Sequence, residues 1–172
     1  MSSEDVLLRR LQSKEQAAWS ELCEMYTQPL YNFIRRNNIY DASDVEDILQ
    51  DTWMAAPRAI DNFDGKNATL KTFLFSLARR KIADYWRKHK AVDELPESMS
   101  VSESHQQRME LTEALALMPE QERQALVLRY SEGFSVTEIA DIMGRTYKGT
   151  ESLLSRARVR LEKYLNSDSD FR

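Results

Sequence analysis

Apolar residues recur every three or four positions along most of the chain, which is the spacing of one face of an α-helix. Three such stripes lie in the first 90 residues. They consist of Trp19, Leu22, Cys23, Tyr26 and Leu30, of Val45, Ile48, Leu49, Trp53 and Ala56, and of Phe73, Leu74, Leu77, Ala78, Ile82 and Tyr85 or Trp86. No β-hairpin dipeptide sits between alternating apolar runs, so the pattern predicts an all-α protein.

Polar residues and prolines predict where these helices begin. Ser43 followed by Glu46 has the spacing of a capping box, which predicts a helix start near residue 44. Pro29 predicts either the start of a second helical segment or a kink in a longer one. The polar stretch 61–69 predicts a loop that leads into the third striped helix.

The helical pattern fails between residues 91 and 106, a stretch rich in Ser and Glu that contains Pro96. Such a stretch predicts a flexible, exposed linker. Helical signals resume beyond it, with Pro119 placed in a first helical turn and Gly133 placed as a stop. The chain is therefore predicted to form two small helical domains, over residues 5–90 and 107–166, joined by this linker.

The second domain holds the best-defined local signature, over residues 135–161. Ser135 and Glu138 form a capping box, Gly144 ends the helix that follows, and Thr146 is placed to cap the next one. The apolar faces of the two helices are Ile139, Ala140, Ile142 and Met143, and Leu153, Leu154, Ala157 and Leu161. This order predicts a helix-turn-helix, although a helical hairpin with a charged surface has the same pattern.

The composition of the chain limits the compartment in which the protein works and the partners that it binds. The 172-residue chain has a formal net charge of −4 and a pI of about 5.3. No apolar run reaches the roughly 18 residues that span a bilayer, and the first residues lack a signal-peptide core. The single cysteine, Cys23, cannot form an internal disulfide. These features predict a cytoplasmic protein without membrane insertion, and the acidic average, taken alone, argues against nucleic-acid binding.

Charge is segregated along the chain, which changes that picture. Residues 41–51 carry five acidic and no basic residues, and residues 71–90 carry seven basic residues and one acidic residue. Residues 93–104 are acidic again, whereas residues 145–163 carry six basic and two acidic residues. Because exposed charges act within a Debye length of about 8 Å, local charge decides which surface meets a polyanion. The acidic average therefore does not exclude nucleic acid.

Residues that usually carry catalysis or bind metals are scarce. His89 and His105 lie in or beside the linker, and Cys23 lies on an apolar stripe, which is typical of a small core residue. The sequence contains no zinc-ligand spacing, no glycine-rich phosphate loop and no recognisable nucleophile–base pair. We therefore predict a protein that is not an enzyme and uses no metal or cofactor.

The charged helices have patterns with more than one interpretation. Asp44, Asp47 and Asp51 share a helix face, which is either a solvated face or a docking surface for a basic partner. In residues 71–90, aromatic residues interleave with cations, which favours either single-stranded nucleic-acid binding or a core beneath a solvated surface. The helix that begins near residue 147 carries basic and hydroxyl residues placed to reach a DNA major groove.

The order and spacing of these segments resemble the bacterial extracytoplasmic-function sigma factors, the compact two-domain group of the sigma-70 family. The resemblance covers nearly all of residues 5–165. It is carried by LLRRLQSKEQAAWSELCEMYTQPLYNFIRR, DVEDILQDTWMAA and TFLFSLARRKIADYWRK before the linker, and by ALALMPEQERQALVLRYSEGFSVTEIADIMG and SLLSRARVRL after it.

The resemblance implies a role for each charged surface. The acidic helix docks on the clamp coiled coil of the largest subunit of core RNA polymerase, through Asp44, Glu46, Asp47, Gln50 and Asp51. The loop and the basic helix open and read the promoter −10 element as a single strand, through Phe63, Lys66, Asn67, Arg79, Arg80, Lys81, Tyr85, Trp86, Arg87 and Lys88. The helix-turn-helix reads the −35 duplex, through Arg145, Thr146, Tyr147, Lys148, Thr150, Glu151, Ser152, Ser155, Arg156 and Arg158.

The recognition helix departs from the common family pattern. Many relatives begin it with a Gly-Thr-Val-Lys-Ser-Arg type of sequence, whereas this chain has Glu151 in that segment. Glu151 either accepts a hydrogen bond from a cytosine amino group or caps the helix. Base-by-base specificity at −35 is therefore not carried over from the family.

The resemblance also implies control by an anti-sigma factor, and we expect a monomer when the chain is free of partners. Two other classes of protein stay open at this point. One is a helix-turn-helix transcriptional regulator that binds DNA without polymerase. The other is a helical adaptor that binds only protein.

Overall fold

The computed structural model describes the backbone of residues 1–89 and 103–167, and the side chains of residues 1–89 and 110–166. All regular structure in these ranges is helical, which confirms the predicted all-α fold with two helical regions. The helices are α1 (Ser3–Gln12), α2 (Gln16–Arg36), α3 (Ala42–Ala59), α4 (Leu70–His89), α5 (Glu103–Leu117), α6 (Glu120–Leu126), α7 (Val136–Met143) and α8 (Tyr147–Ser167). A short 3₁₀ helix, Ile60–Asn62, follows α3, and a π-helical turn, Val127–Ser131, follows α6.

The first half of the chain is built around α2, α3 and α4, and α1 packs on α2. The rings of Phe33 in α2 and Phe75 in α4 lie 5.0 Å apart and are both fully buried. The other large, fully buried side chains of this half are Leu11, Leu22, Leu30, Ile34, Ile39, Ile60, Leu70, Leu74 and Ile82. Removing this apolar surface from water is the main favourable term in folding the unit.

The start of α3 differs from the expected one. The helix begins at Ala42, and the carboxylate of Asp41 accepts hydrogen bonds from the backbone N–H groups of Ser43 and Asp44. The expected capping box of Ser43 and Glu46 is therefore wrong, because Asp41 already satisfies the free N–H groups of the first turn. Pro29 lies inside α2, so the helix continues through it.

The second half of the chain contains the predicted helix-turn-helix, formed by α7 and α8. Ser135 and Glu138 make the predicted capping box, since each side chain accepts a hydrogen bond from the backbone N–H of the other. Gly144 ends α7 in the left-handed region, with φ of 63°. Thr146 Oγ1 accepts a hydrogen bond of 3.0 Å from the backbone N–H of Gly149, which caps the start of α8.

Of the predicted linker, the structure describes only the last four residues, 103–106. Residues 91–102 lie outside the described residues, and α5 begins at Glu103. The expected linker end at residue 106 therefore falls inside a helix. Further along, α5 and α6 pack on α8, and α7 packs on α4. The helix-turn-helix therefore contacts the first half of the chain directly.

Gly144 provides a test of the turn geometry. Replacing it with Ala should lower the free energy of unfolding by about 1 kcal/mol, because a Cβ is strained in the left-handed region. The space around it is open, so the cost is conformational rather than steric. Replacing it with Asn, which tolerates this region, should recover part of the loss. Urea unfolding measures both values, and equal stability of the Ala variant and the unmodified chain would contradict the assignment.

Candidate functional site

The acidic residues of α3 form one outward face. Glu46, Asp47, Gln50 and Asp51 are exposed, and Asp44 is half-buried at the start of the helix. Among the described residues, no ion pair involves any of the four carboxylates of this face. Uncompensated charges of one sign on a rigid helix present a strong local field to a basic partner.

A hydrogen bond joins this acidic face to the basic helix. The hydroxyl of Tyr85 in α4 donates to Asp44 Oδ2 at 3.0 Å. Partial burial, together with this hydrogen bond and the charge of Asp44, raises the pKa of Tyr85 to about 12. The Tyr85 ring also stacks on His89 with a centroid distance of 4.0 Å. The last turns of α4 are thereby fixed relative to α3.

The loop before α4 is held to α1 rather than projecting freely. Gln12 Nε2 donates to the backbone carbonyl of Phe63 at 2.8 Å, and the rings of Phe63 and Phe73 lie 5.0 Å apart. Lys66 and Asn67 are both exposed. The loop therefore presents two polar side chains from an anchored backbone, whereas the ring of Phe63 is partly used in packing.

The aromatic residues of α4 divide into two groups. Phe73 and Phe75 are buried in the core, so for these two rings the interpretation as core is confirmed and neither is available to stack on a base. Tyr85 and Trp86 are half-buried near the end of the helix, and Trp86 Nε1 donates to the carbonyl of Asn37 at 3.2 Å. Only these last two rings have surface available for stacking on a base.

The cations of α4 differ in how far they are available. Arg80, Arg87 and Lys88 are exposed, and Lys81 is half-buried. Arg79 is also half-buried, and its Nε donates to Gln124 Oε1 in α6 at 3.2 Å. Burial lowers the pKa of the Arg79 guanidinium. The predicted −10 residues therefore lie in two places, in the loop before the start of α4 and along the second half of α4, and Arg79 is engaged by α6.

The outer face of α8 presents most of the predicted −35 residues. The exposed members are Tyr147, Lys148, Glu151, Ser152, Ser155, Arg156 and Arg158. Arg158 Nη1 donates to the hydroxyl of Tyr130 at 2.8 Å, and Arg145 Nη1 donates to Gln121 Oε1 at 2.7 Å. The two arginines are therefore oriented by neighbouring side chains.

Thr150, which the family resemblance places among the −35 residues, does not face solvent. Its side chain is fully buried, and its Oγ1 donates to the carbonyl of Thr146 at 2.9 Å. It therefore supports the first turn of α8 and is not placed to contact DNA. Because Thr146 supplies the cap through its own side chain, the capping role considered for Glu151 is already filled.

Sequence reasoning misses the residues that join the two halves. The ring of Phe134 lies 5.1 Å from that of Phe75, and Arg123 lies over the ring of Trp86. Arg36 forms an ion pair with Glu132 at 3.0 Å. Each pair is distant in sequence and has no periodic or capping signal. Arg123 lies between two polar neighbours in sequence, Glu122 and Gln124, so nothing in the sequence marks it as buried.

The described ranges lack two further kinds of feature. There, no group of His, Cys, Asp and Glu side chains has the geometry to hold a metal ion. No helix of those ranges combines the length and apolarity needed to cross a membrane.

The chain matches two family models in the order of its two halves. Residues 22–92 match sigma-70 region 2, and residues 108–161 match sigma-70 region 4. Among curated proteins, it is 31% identical over 156 residues to the ECF RNA polymerase sigma factor SigM of Bacillus subtilis, with 85% of this chain and 94% of SigM covered. It is 29% identical over 177 residues to the ECF RNA polymerase sigma-E factor of Escherichia coli, with 91% of each chain covered.

Solved structures show the same relationship in three dimensions. CnrH, in complex with the cytosolic domain of CnrY, matches 97% of this chain and 99% of its own, with a TM-score of 0.76 at 25% identity. The sigma factor RpoE of Bartonella quintana, in complex with the anti-sigma factor NepR, matches 87% of this chain and 97% of its own, with a TM-score of 0.67 at 26% identity. The chain contains a helix-turn-helix and matches both sigma-70 regions in their order. It is also 31% identical to SigM, of which it covers 94%. This chain therefore belongs to the ECF sigma factors of the sigma-70 family.

Proposed function

We propose that this protein directs core RNA polymerase to specific promoters and opens their −10 element. The observation that carries the proposal is the placement of an uncompensated acidic face on α3 beside the basic, aromatic end of α4, with the two joined by the hydrogen bond between Tyr85 and Asp44. A protein-binding surface and a strand-binding surface are thereby held in fixed relative orientation. No chemical step by this chain is required, so the protein acts as a non-enzymatic factor, in the cytoplasm where polymerase works.

The acidic face of α3 docks on the polymerase in this proposal. The side chains are Asp44, Glu46, Asp47, Gln50 and Asp51, and all but the first are exposed. A basic helix of the clamp on the largest subunit, as the family resemblance implies, supplies the complementary charge. Charge complementarity of this kind raises the association rate and sets the orientation of the complex.

The loop at 61–69 and the end of α4 hold the −10 strand. Exposed cations, including Lys66, Arg80, Arg87 and Lys88, neutralise phosphates along the path. Tyr85 and Trp86 offer aromatic faces, and stacking of an unpaired base on such a face contributes about 1–3 kcal/mol. This stacking is available only to bases that have left the duplex, so it favours the open form of the promoter.

The exposed face of α8 enters the major groove of the −35 element. Its polar side chains point outward, while Leu153, Leu154 and Ala157 of the same helix are buried. Arg145 and Arg158, each oriented by a neighbour, are suited to phosphate contacts that fix the register of the helix. The exposed Glu151 is suited to accept from a cytosine amino group.

An anti-sigma factor controls the protein in this proposal. Support comes from CnrH and RpoE, whose structures are complexes with CnrY and with the anti-sigma factor NepR. An inhibitor of this kind would cover the charged surfaces that polymerase and DNA otherwise use. We further propose that the chain is a monomer in the absence of partners.

Run-off transcription with purified core polymerase tests the proposed function directly. Adding the full chain to core polymerase and fragmented genomic template should yield promoter-dependent transcripts with defined start sites. Core polymerase alone is the control, and mass spectrometry of the preparation excludes a co-purified inhibitor. Absence of any such transcript, together with operator binding by the chain alone, would establish the helix-turn-helix regulator instead.

Charge reversal of the acidic face tests the docking assignment. The double variant Asp47→Lys with Asp51→Lys should lower capture of core polymerase at least tenfold, because two attractive charges become repulsive. Circular dichroism should be unchanged, since both side chains are exposed. A matched double reversal at exposed positions outside this face, Glu24→Lys with Asp141→Lys, should leave capture intact. Equal loss in both double variants would remove the assignment.

Two single substitutions in α8 separate base contacts from phosphate contacts. Glu151→Ala should relax the preference at one base pair of the −35 element by about 1–3 kcal/mol. Lys148→Ala should instead weaken binding to all sequences equally and reduce the salt dependence by about one counterion. Binding of polymerase holoenzyme to a randomised −35 library, at several salt concentrations, measures both effects. An unchanged preference in the Glu151 variant would show that this residue reads no base.

A further inference from the structure

Helix α1 contacts the loop at 61–69 near both of its ends and at its middle. Leu7, Leu8 and Leu11 are buried, so α1 is itself anchored in the core of the first half. The helix ends at Gln12, well before residue 22, where the match to sigma-70 region 2 begins. The loop is therefore supported by a part of the chain that lies outside that match.

The first contact fixes the entry to the loop. Gln12 Nε2 donates to the backbone carbonyl of Ile60 at 3.1 Å and to that of Phe63 at 2.8 Å, so one amide group holds two backbone positions. Just after α1, Lys14 Nζ lies 2.6 Å from Asp61 Oδ1. Gln12 is half-buried, which strengthens its hydrogen bonds because less water competes for the same carbonyls.

The second contact is made by Gly65 in the middle of the loop. Its φ of 72° lies in the left-handed region, which favours glycine. A Cβ at this position would lie 2.7 Å from Leu8 Cδ2, whereas carbon atoms pack at about 3.5–4.0 Å. Only glycine therefore lets the backbone of the loop lie directly on the buried side chain of Leu8.

The third contact fixes the exit from the loop into α4. Glu4 Oε1 accepts a hydrogen bond of 2.7 Å from the backbone N–H of Leu70, the first residue of α4. Free N–H groups at a helix start are usually satisfied by a side chain just before the helix. Here Thr69 Oγ1 accepts from the N–H of Thr72 at 3.1 Å, and α1 supplies the partner of Leu70. The start of α4 is thus held by the loop and by α1 together.

Between these points the loop directs polar side chains outward. Asp64 Oδ1 accepts from the backbone N–H of Lys66 at 2.9 Å, which closes a local turn. Asp64, Lys66 and Asn67 are all exposed. Discrimination between bases requires donors and acceptors at defined positions, whereas attraction to phosphates does not. The support of the loop backbone therefore matters more for the choice of base than for total affinity.

We propose that α1 is a positioning element for −10 recognition, and that Glu4, Leu8 and Gln12 set the base preference by holding the backbone of the loop. The proposal rests on the proposed role of this loop in reading the −10 strand. Phosphate attraction comes instead from the exposed cations further along α4. Loosening the hold of α1 therefore flattens the base preference and leaves most of the strand affinity in place.

Two variants loosen the loop, and two matched variants do not. Gln12→Met keeps the size of the side chain but removes the donor, and Glu4→Ala removes the acceptor for the N–H of Leu70. Glu4→Gln keeps an oxygen that accepts from the same N–H. Val6→Ala changes an exposed position of the same helix. Circular dichroism of the full chain checks that all four variants are folded.

Base preference is measured with polymerase holoenzyme on promoter templates that are unpaired and randomised within the −10 element. In Gln12→Met and Glu4→Ala, the preference at the position that the loop reads should fall by about five- to tenfold, which is part of the discrimination that one good base contact supplies. Total affinity should change by less than about twofold, because the phosphate contacts stay. Glu4→Gln and Val6→Ala should keep the preference. The preference is a ratio within one preparation, so partial unfolding of a variant does not alter it.

Hydrogen exchange of the free full chain checks the physical cause. Amides of residues 61–69 should exchange faster in Gln12→Met and Glu4→Ala than in the unmodified chain, because local opening of the loop becomes easier. Amides of the buried part of α2 should keep their exchange rates. Unchanged exchange in the loop would show that α1 does not hold it, and would overturn the proposal.

The binding results separate this proposal from a purely structural role of α1. Equal loss of affinity for all sequences, with the preference retained, would overturn it, and so would an unchanged preference despite faster exchange. A normal run-off transcript in either case leaves the proposed function intact. If the unmodified holoenzyme shows no −10 preference and gives no transcript, both proposals fail. If Gln12→Met does not assemble with polymerase, the Glu4 variants decide, because an equal preference in Glu4→Ala and Glu4→Gln overturns the positioning role.

Discussion

The apolar side of α4 is the surface on which both halves of this protein depend. Phe75 is fully buried between Phe33 of α2 and Phe134 of the second half, so one ring belongs to two packing contacts. The same helix carries Arg80, Arg87 and Lys88 on its exposed side. A helix that is buried on one side fixes the backbone positions from which the charged side chains of its other side extend. Rigid presentation of this kind lowers the entropy lost when a flexible strand binds.

The charge distribution follows from the same arrangement. Because α3 and α4 pack against each other, an acidic surface and a basic surface lie side by side on one small unit. The Tyr85–Asp44 hydrogen bond crosses the boundary between them. A net charge of −4 is therefore the sum of surfaces with opposite partners. Local sign, and not the total, determines what each surface attracts.

The parts of the fold that sequence predicts well are those set by neighbouring residues. Ser135, Gly144 and Thr146 act within one helical turn, so residue type and spacing are sufficient to place them. Asp41 shows where local prediction fails. It lies two positions before Ser43, and each residue has a local pattern that predicts a helix cap, so the sequence alone does not decide which one caps α3. Contacts such as that of Arg123 with Trp86 depend on how two domains meet, and no local rule encodes that meeting. The family resemblance implies that Arg79 contacts the −10 strand, and only the tertiary contact with Gln124 shows that it also joins the two halves.

The burial of Thr150 has a consequence for how such proteins diversify. Along α8, positions that pack inward, such as Thr150, Leu153 and Leu154, lie next to positions that face solvent, such as Glu151 and Ser152. The inward set determines whether the helix is formed and seated. The outward set contributes little to stability, because exposed substitutions usually change it by less than about 0.5 kcal/mol. Gene duplicates can therefore drift to new target sequences through the outward residues while the scaffold stays intact.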